Sequence, residues 1–233
     1  MPEAEKKPLT AEQKTQAKQA EEKKKQAELR EKLMTRGMKF LELNKHLLKT
    51  NTREAIERGD LQYVDLDLYI KRLINNAGST YVLDTTSVKR IGQAYFDKNV
   101  LPEGYNMVIE GIRVAFGKTT ISGGTTDPTI PVYTNSGVFD PAIVNGEILI
   151  TVRDKPIIEL PLKRFLNANS SAVPGTIQLE YRDTIMLKAM KFIPENTPFK
   201  IQVSLADGAT LANSATVYNF CEVDLIGVGT RPQ

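Results

Sequence analysis

A mainly β fold, a sandwich or closed barrel preceded by an N-terminal α-helical arm, follows from three features of this 233-residue chain. Residues 10–34 are rich in Ala, Glu, Lys and Gln and contain neither Gly nor Pro, which predicts helix. From about residue 80 the texture changes to runs of Val, Ile, Thr, Tyr and Phe separated by Gly, Pro, Asn and Asp clusters, with no helical periodicity between them. A single Cys excludes a disulfide framework, and no apolar stretch is long enough for a membrane-spanning helix.

The arm is residues 1–50. Thr10 with Gln13 offers a capping box, and the first turns after it are polar all round. An apolar stripe then appears. Leu33, Phe40 and Leu47 are seven apart, as are Met34, Leu41 and Leu48, and the two rows cover one face of a helix. These six residues are the candidate assembly interface, docking the last turns of the arm on the chain's own body or on a neighbouring subunit. Residues 1–50 hold thirteen Lys and Arg against eight Glu, whereas the remainder holds eighteen basic and twenty acidic residues. A basic arm on a slightly acidic body suits an anionic partner, nucleic acid or lipid headgroups, with Lys14, Lys18, Lys23, Lys24, Lys25 and Arg30 as the candidate contacts. The interleaved glutamates equally suit a solvated mixed-charge face.

Residues 51–79 read as a short helical linker. Residues 53–58 form one helix stopped by Gly59. Asp65 caps a second, with Leu66, Ile70, Leu73, Ile74 and Ala77 at helical spacing and Gly78 just past its end. Alternation of Val64, Leu66, Leu68 and Ile70 also permits a strand; the helix is the preferred reading.

Residues 80–233 form the β domain. Strands are predicted over 80–84, 90–96, 105–116, 147–153, 156–162, 176–182, 184–191, 199–205 and 216–228, separated by a long insertion over 117–146. Asp154-Lys155 reads as a tight turn into a strand that begins at Pro156, where a missing N–H is tolerated. Eight or nine strands fit one eight-stranded jelly roll. The insertion carries apolar islands at Ile130 to Tyr133 and Ala142 to Val144, and long loops in compact domains usually mean contact or function.

Motifs for catalysis are weak. Gly117-Lys118-Thr119 mimics the end of a phosphate-binding loop, but Ile112 stands where the first Gly is required and Arg113 to Phe116 read as strand. His46, the only His, has no nucleophile or orienting carboxylate near it in sequence and reads as a surface or interface residue. Cys221 lies within the last strand and reads as a buried, inert thiol. Metal-ligand spacing is absent. Glu147, Asp154, Glu159, Glu180, Asp183, Glu222 and Asp224 lie on or beside strands, and the paired Glu222 and Asp224 read as a solvated face, with Tyr218 within reach. No catalytic residue, cofactor or metal is expected. The N-terminus lacks the apolar core of a signal peptide, so synthesis in a cytoplasm and a reduced Cys221 are expected.

Three segments carry a resemblance. They are Leu101-Pro102-Glu103-Gly104-Tyr105 leading into Val108-Ile109-Glu110-Gly111-Ile112; Ile193-Pro194-Glu195-Asn196-Thr197-Pro198-Phe199; and the closing Leu225-Ile226-Gly227-Val228-Gly229-Thr230-Arg231-Pro232. With the helical arm, they resemble the jelly-roll coat proteins of tailless bacteriophages, often membrane-containing ones. The resemblance covers residues 80–233. It implies a virion capsid subunit that closes an icosahedral shell through its loops and arm, as a homo-oligomer with trimeric capsomers. The arm would face the interior, meeting other virion proteins, genome or internal membrane headgroups. A different class, a ligand-binding β-sandwich of adhesin or carbohydrate-binding type with the arm as stalk, predicts an exposed aromatic cluster; the absence of Trp counts against it. A sandwich hydrolase predicts two carboxylates converging in a cleft.

Overall fold

Eight strands in two four-stranded antiparallel sheets share one apolar core in the computed structural model, which describes residues 34–95, 97–120, 126–135, 137, 139–166, 184–211 and 217–232. The strands are β1 (Leu61–Leu73), β2 (Ser79–Leu83), β3 (Asn106–Thr120), β4 (Glu147–Val152), β5 (Lys155–Pro161), β6 (Ile185–Ile193), β7 (Phe199–Ser204) and β8 (Val217–Pro232). The first sheet has the order β1-β8-β3-β6 and the second β2-β7-β4-β5. Three short α-helices, α1 (Arg36–Leu43), α2 (Thr50–Arg58) and α3 (Pro141–Val144), and two 3-10 turns, Lys45–Leu47 and Leu162–Arg164, complete the described elements.

Alternation puts the core together. Leu66, Leu68 and Ile70 of β1, Ile112 and Val114 of β3, and Cys221, Val223 and Leu225 of β8 point inward from the first sheet. Ile148, Ile150, Phe199, Ile201 and Val203 meet them from the second. Each such side chain contributes about 1.5–3 kcal/mol when fully buried. The charged partners in the alternation, such as Asp67 and Asp224, are thereby turned to the outer face.

The expected helix over 65–77 is instead most of strand β1. Positions i and i+4 lie on one side in a helix and in a strand alike, so Leu66 and Ile70 satisfy both periods. The edge of β8 decides between them: all thirteen residues of β1 pair with it, from Leu61↔Pro232 to Leu73↔Phe220. The short helix before it is present as α2, and Gly59 ends it with φ +87°. No strand forms over 90–96; the described residues there make a tight loop, with isolated bridges Arg90↔Ala94 and Ile70↔Ala94. The expected strand 176–182 lies outside the described residues. Strand β3 runs on through Thr120, into what reads in sequence as insertion, and places Gly117-Lys118-Thr119 within the ladder to β8. Later in the insertion Asp140 caps α3 by accepting from the Ala142 N–H.

The β4–β5 turn falls one residue earlier than expected, on Arg153-Asp154. Both have positive φ, 51° and 59°, and Val152 pairs with Lys155. That is the type I′ geometry whose twist matches a two-residue hairpin. Pro156 sits near the start of an edge strand, where it costs no ladder bond.

The apolar rows of the arm do not share one helix. The Thr35 side chain caps α1 at Met38 N–H, and the helix stops at Asn44, followed by a 3-10 turn, Lys45–Leu47. Leu41 and Leu48 are buried on Val108 and Val228 of this same chain. Phe40 is partly buried against them, Met34 is half-buried and Leu47 is 40% exposed. Leu33, the Thr10 capping box and the six basic candidates Lys14 to Arg30 lie outside the described residues.

Two glycines of β8 have a steric reason. A Cβ at Gly227 would collide with the Val108 carbonyl and one at Gly229 with the Asn106 carbonyl, both on the neighbouring β3. Gly227→Ala is therefore expected to lower stability by about 1–3 kcal/mol through forced backbone shifts, read as a lower midpoint in urea unfolding.

Candidate functional site

The outer face of the first sheet carries three features in sequence: a helical cover, a charged groove and a pair of apolar loops. The cover is α1, the 3-10 turn and α2, resting on Val108, Val228 and Tyr63. The Arg36 guanidinium donates to the carbonyls of Leu187 and Lys188 on β6, at 3.0 and 2.6 Å. Those bonds occupy acceptors of an edge strand, which is otherwise open to unwanted pairing.

A buried carboxylate holds the cover down. Thr52 of α2 donates to Glu195 Oε1 at 2.8 Å, the Gly104 N–H donates to Oε2, and Lys49 Nζ stands 3.7 Å from Oε1. The Glu195 N–H donates to Asn106 Oδ1 at 3.0 Å. Asn106 in turn donates to Thr230 Oγ1 from its backbone and its side chain, both at 3.1 Å, and Thr230 Oγ1 donates to the Gly104 carbonyl at 2.7 Å. The three segments that carry the sequence resemblance meet at this point. A buried carboxylate is tolerable only when its oxygens are so occupied.

The groove has a volume of about 440 Å³. Asp67, Tyr69 and Lys71 of β1, Arg113 of β3, and Glu222, Asp224 and Ile226 of β8 line it, with Gly92 at its rim. Arg113 Nη1 lies 2.9 Å from Asp224 and 3.8 Å from Glu222, while Lys71 Nζ lies 3.2 Å from Glu222 and 4.9 Å from the centre of the Tyr133 ring. Glu222 and Asp224 do share one face, as alternation requires. They are not a solvated face, since their side chains are 12% and 15% exposed and ion-paired. Burial, and then the neighbouring Glu222 charge, pushes the Asp224 carboxyl above the ordinary aspartate range, against the pull of Arg113. Tyr218 does not line this groove.

Two loops rise beside the groove, 84–95 and 126–135. Phe116 and Thr134 exchange both backbone hydrogen bonds, at 2.8 and 3.0 Å, and Tyr95 N–H donates to the Tyr69 carbonyl at 3.0 Å, so both loops are tied to the sheet. Tyr69 Oη accepts from the Gly92 N–H at 3.1 Å. Their apolar side chains face water: Ile91 is 99% exposed, Val132 86%, Val88 60% and Ile130 50%. The sequence signals the second loop as an apolar island in the insertion. Ile91 is hidden within a run that reads as strand.

Elsewhere the predicted residues are scattered. His46 is exposed in the 3-10 turn. Cys221 points into the core from the opposite side of β8, and burial pushes its thiol far up, away from the reactive thiolate. Asp154 pairs with Lys200 at 2.8 Å in the open, and Glu147 and Glu159 lie with it on the second sheet and its turn. Glu180 and Asp183 lie outside the described residues. Among the described residues no group of three His, Cys, Asp or Glu could hold a metal ion, and no helix is long and apolar enough to cross a membrane.

No protein-family model matches the chain, and no curated protein matches it.

Two outcomes are expected. Glu195→Ala leaves the Thr52 hydroxyl and Gly104 N–H unpaired and should cost about 2–4 kcal/mol in urea unfolding, with faster proteolysis within α2. The folded chain protonates Asp224 at higher pH than the unfolded chain does, so wild type should gain stability relative to Asp224→Asn as pH falls from 7 through that raised value. Paired urea titrations across pH 7 to about 4 would show the gain.

Proposed function

We propose that this chain is a structural protein of a viral shell, a capsid subunit of the tailless-bacteriophage type that works by self-association. One observation carries the reading: the strand order 1-8-3-6 against 2-7-4-5. In it β1 and β2, β3 and β4, β5 and β6, and β7 and β8 each lie on opposite sheets, an alternation that supports the reading of an eight-stranded jelly roll. The sequence resemblance supports the same reading, and so do the apolar loops held out from the sandwich on ordered anchors. A fold alone hosts many functions, so the strand order is read together with the resemblance and the exposed loops.

The mechanism is association repeated by symmetry, with apolar loop contacts between copies. The basic arm, residues 1–50, screens genome or internal membrane headgroups through Lys14, Lys18, Lys23, Lys24, Lys25 and Arg30. Trimeric capsomers, other virion proteins and a virion location belong to this proposal.

The test is light scattering with size-exclusion chromatography and electron microscopy, on the full chain and on a chain beginning at Met34. Full-length protein is expected to form trimers, rings or shells that change in size or salt dependence without the arm. Monomers of both chains in every condition overturn the reading.

A further inference from the structure

We infer that the apolar loop pair and the charged groove beside it form one self-complementary interface, in which a second copy of this chain seats its Ile91 tip in the groove and offers its own groove in return. The inference rests on the assembly reading above and names the surface that performs it.

The projection is built to be covered. Among the described residues eight large apolar side chains are strongly exposed, and Val88, Ile91, Ile130 and Val132 on these two loops are four of them. Ile91 at 99% exposure has no contact in its own chain to explain it. The recess adjoins the projection directly, since Gly92, the next residue, forms part of its wall. Its lining includes Ile226, Tyr69 and the long side chains of Lys71 and Arg113, whose methylene stems suit an aliphatic tip.

Charge has the matching sign. Lys89 and Arg90 precede Ile91, with Asp127 of the second loop near Arg90; Asp84, at the base of the first loop, is already paired with Arg72, so the tip itself carries two cations beside one carboxylate. The groove holds three carboxylates, Asp67, Glu222 and Asp224, against Lys71 and Arg113. Asp67 is exposed and turned to the groove, open to a cation from outside. A projection and a recess of opposite charge, side by side on one face, satisfy each other across a two-fold axis.

Sedimentation velocity on the full chain over a dilution series tests this, with Ile91→Asp, Arg90→Glu, Asp67→Lys and the Arg90→Glu/Asp67→Lys double variant. These side chains are exposed, so the variants should fold, as circular dichroism can verify. Ile91→Asp is expected to raise the dissociation constant of the pair by about tenfold or more. Each charge reversal alone should weaken it, and the double variant should recover it, because every two-fold contact then joins the reversed partners. Three results overturn the inference. If the wild type associates and Ile91→Asp associates equally well, this interface is wrong while the assembly reading stands. If the double variant fails to recover what the single reversals lose, the pairing is wrong. If the wild type stays monomeric at every concentration, the interface and the assembly reading fall together.

Discussion

Strand β8 is paired along both edges over most of its length, and most of the molecule is positioned by that constraint. β1 pairs with its residues 220–232 and β3 with its residues 217–230, so from Phe220 to Thr230 it has a neighbour on both sides. Inward it supplies Cys221, Val223 and Leu225 to the core; outward it supplies Glu222, Asp224 and Ile226 to the groove and Val228 to the seat of the helical cover. A one-residue slip would exchange those two sets, burying charge and exposing the core. Gly227 and Gly229 reinforce the register, because the β3 backbone passes where a Cβ would stand.

Acidic groups on this face do two different jobs, and burial separates them. Glu195 is 3% exposed, with donors placed on both oxygens, so removing it strands buried partners. It fastens α2 to the loops before β3 and β7. Asp67 is open to water, while Glu222 and Asp224 pair with Lys71 and Arg113 at the wall of a groove. Glu222 and Asp224 are largely buried, so much of the Coulomb gain of these pairs is offset by desolvation. The groove charges therefore have little claim on the fold and more on what approaches it.

The loops beside the groove follow from the same economy of surface. Backbone hydrogen bonds to Phe116 and Tyr69 fix their bases, which leaves Ile91 and Val132 at the tips with no core to enter. Ordered anchors and apolar tips spare an arriving partner the entropy of ordering a loop, a cost that otherwise subtracts from association. Under the proposed assembly such a contact would be repeated by symmetry.

Alternation along 147–152, 199–204 and 217–228, with turn residues between, is enough to read a mainly β chain and most of its strands, because a half-buried strand writes its period directly into the sequence. The helix ending at Gly59 and the inert Cys221 were legible for equally local reasons. The segment 61–73 was not: Leu66 and Ile70 fit both periods, and only the waiting edge of β8 makes it a strand. The rows of the arm looked continuous because heptad spacing does not show the break at Asn44. The groove was legible only in the shared face of Glu222 and Asp224, since Asp67, Arg113 and Asp224 are joined by register across three strands and not by spacing along the chain. The sequence by itself determined periodicity, turns and charge bias, which are local properties. Strand order, the Glu195 network and the juxtaposition of groove and loop tips were decided by tertiary structure alone, because each depends on contacts between residues far apart in the chain.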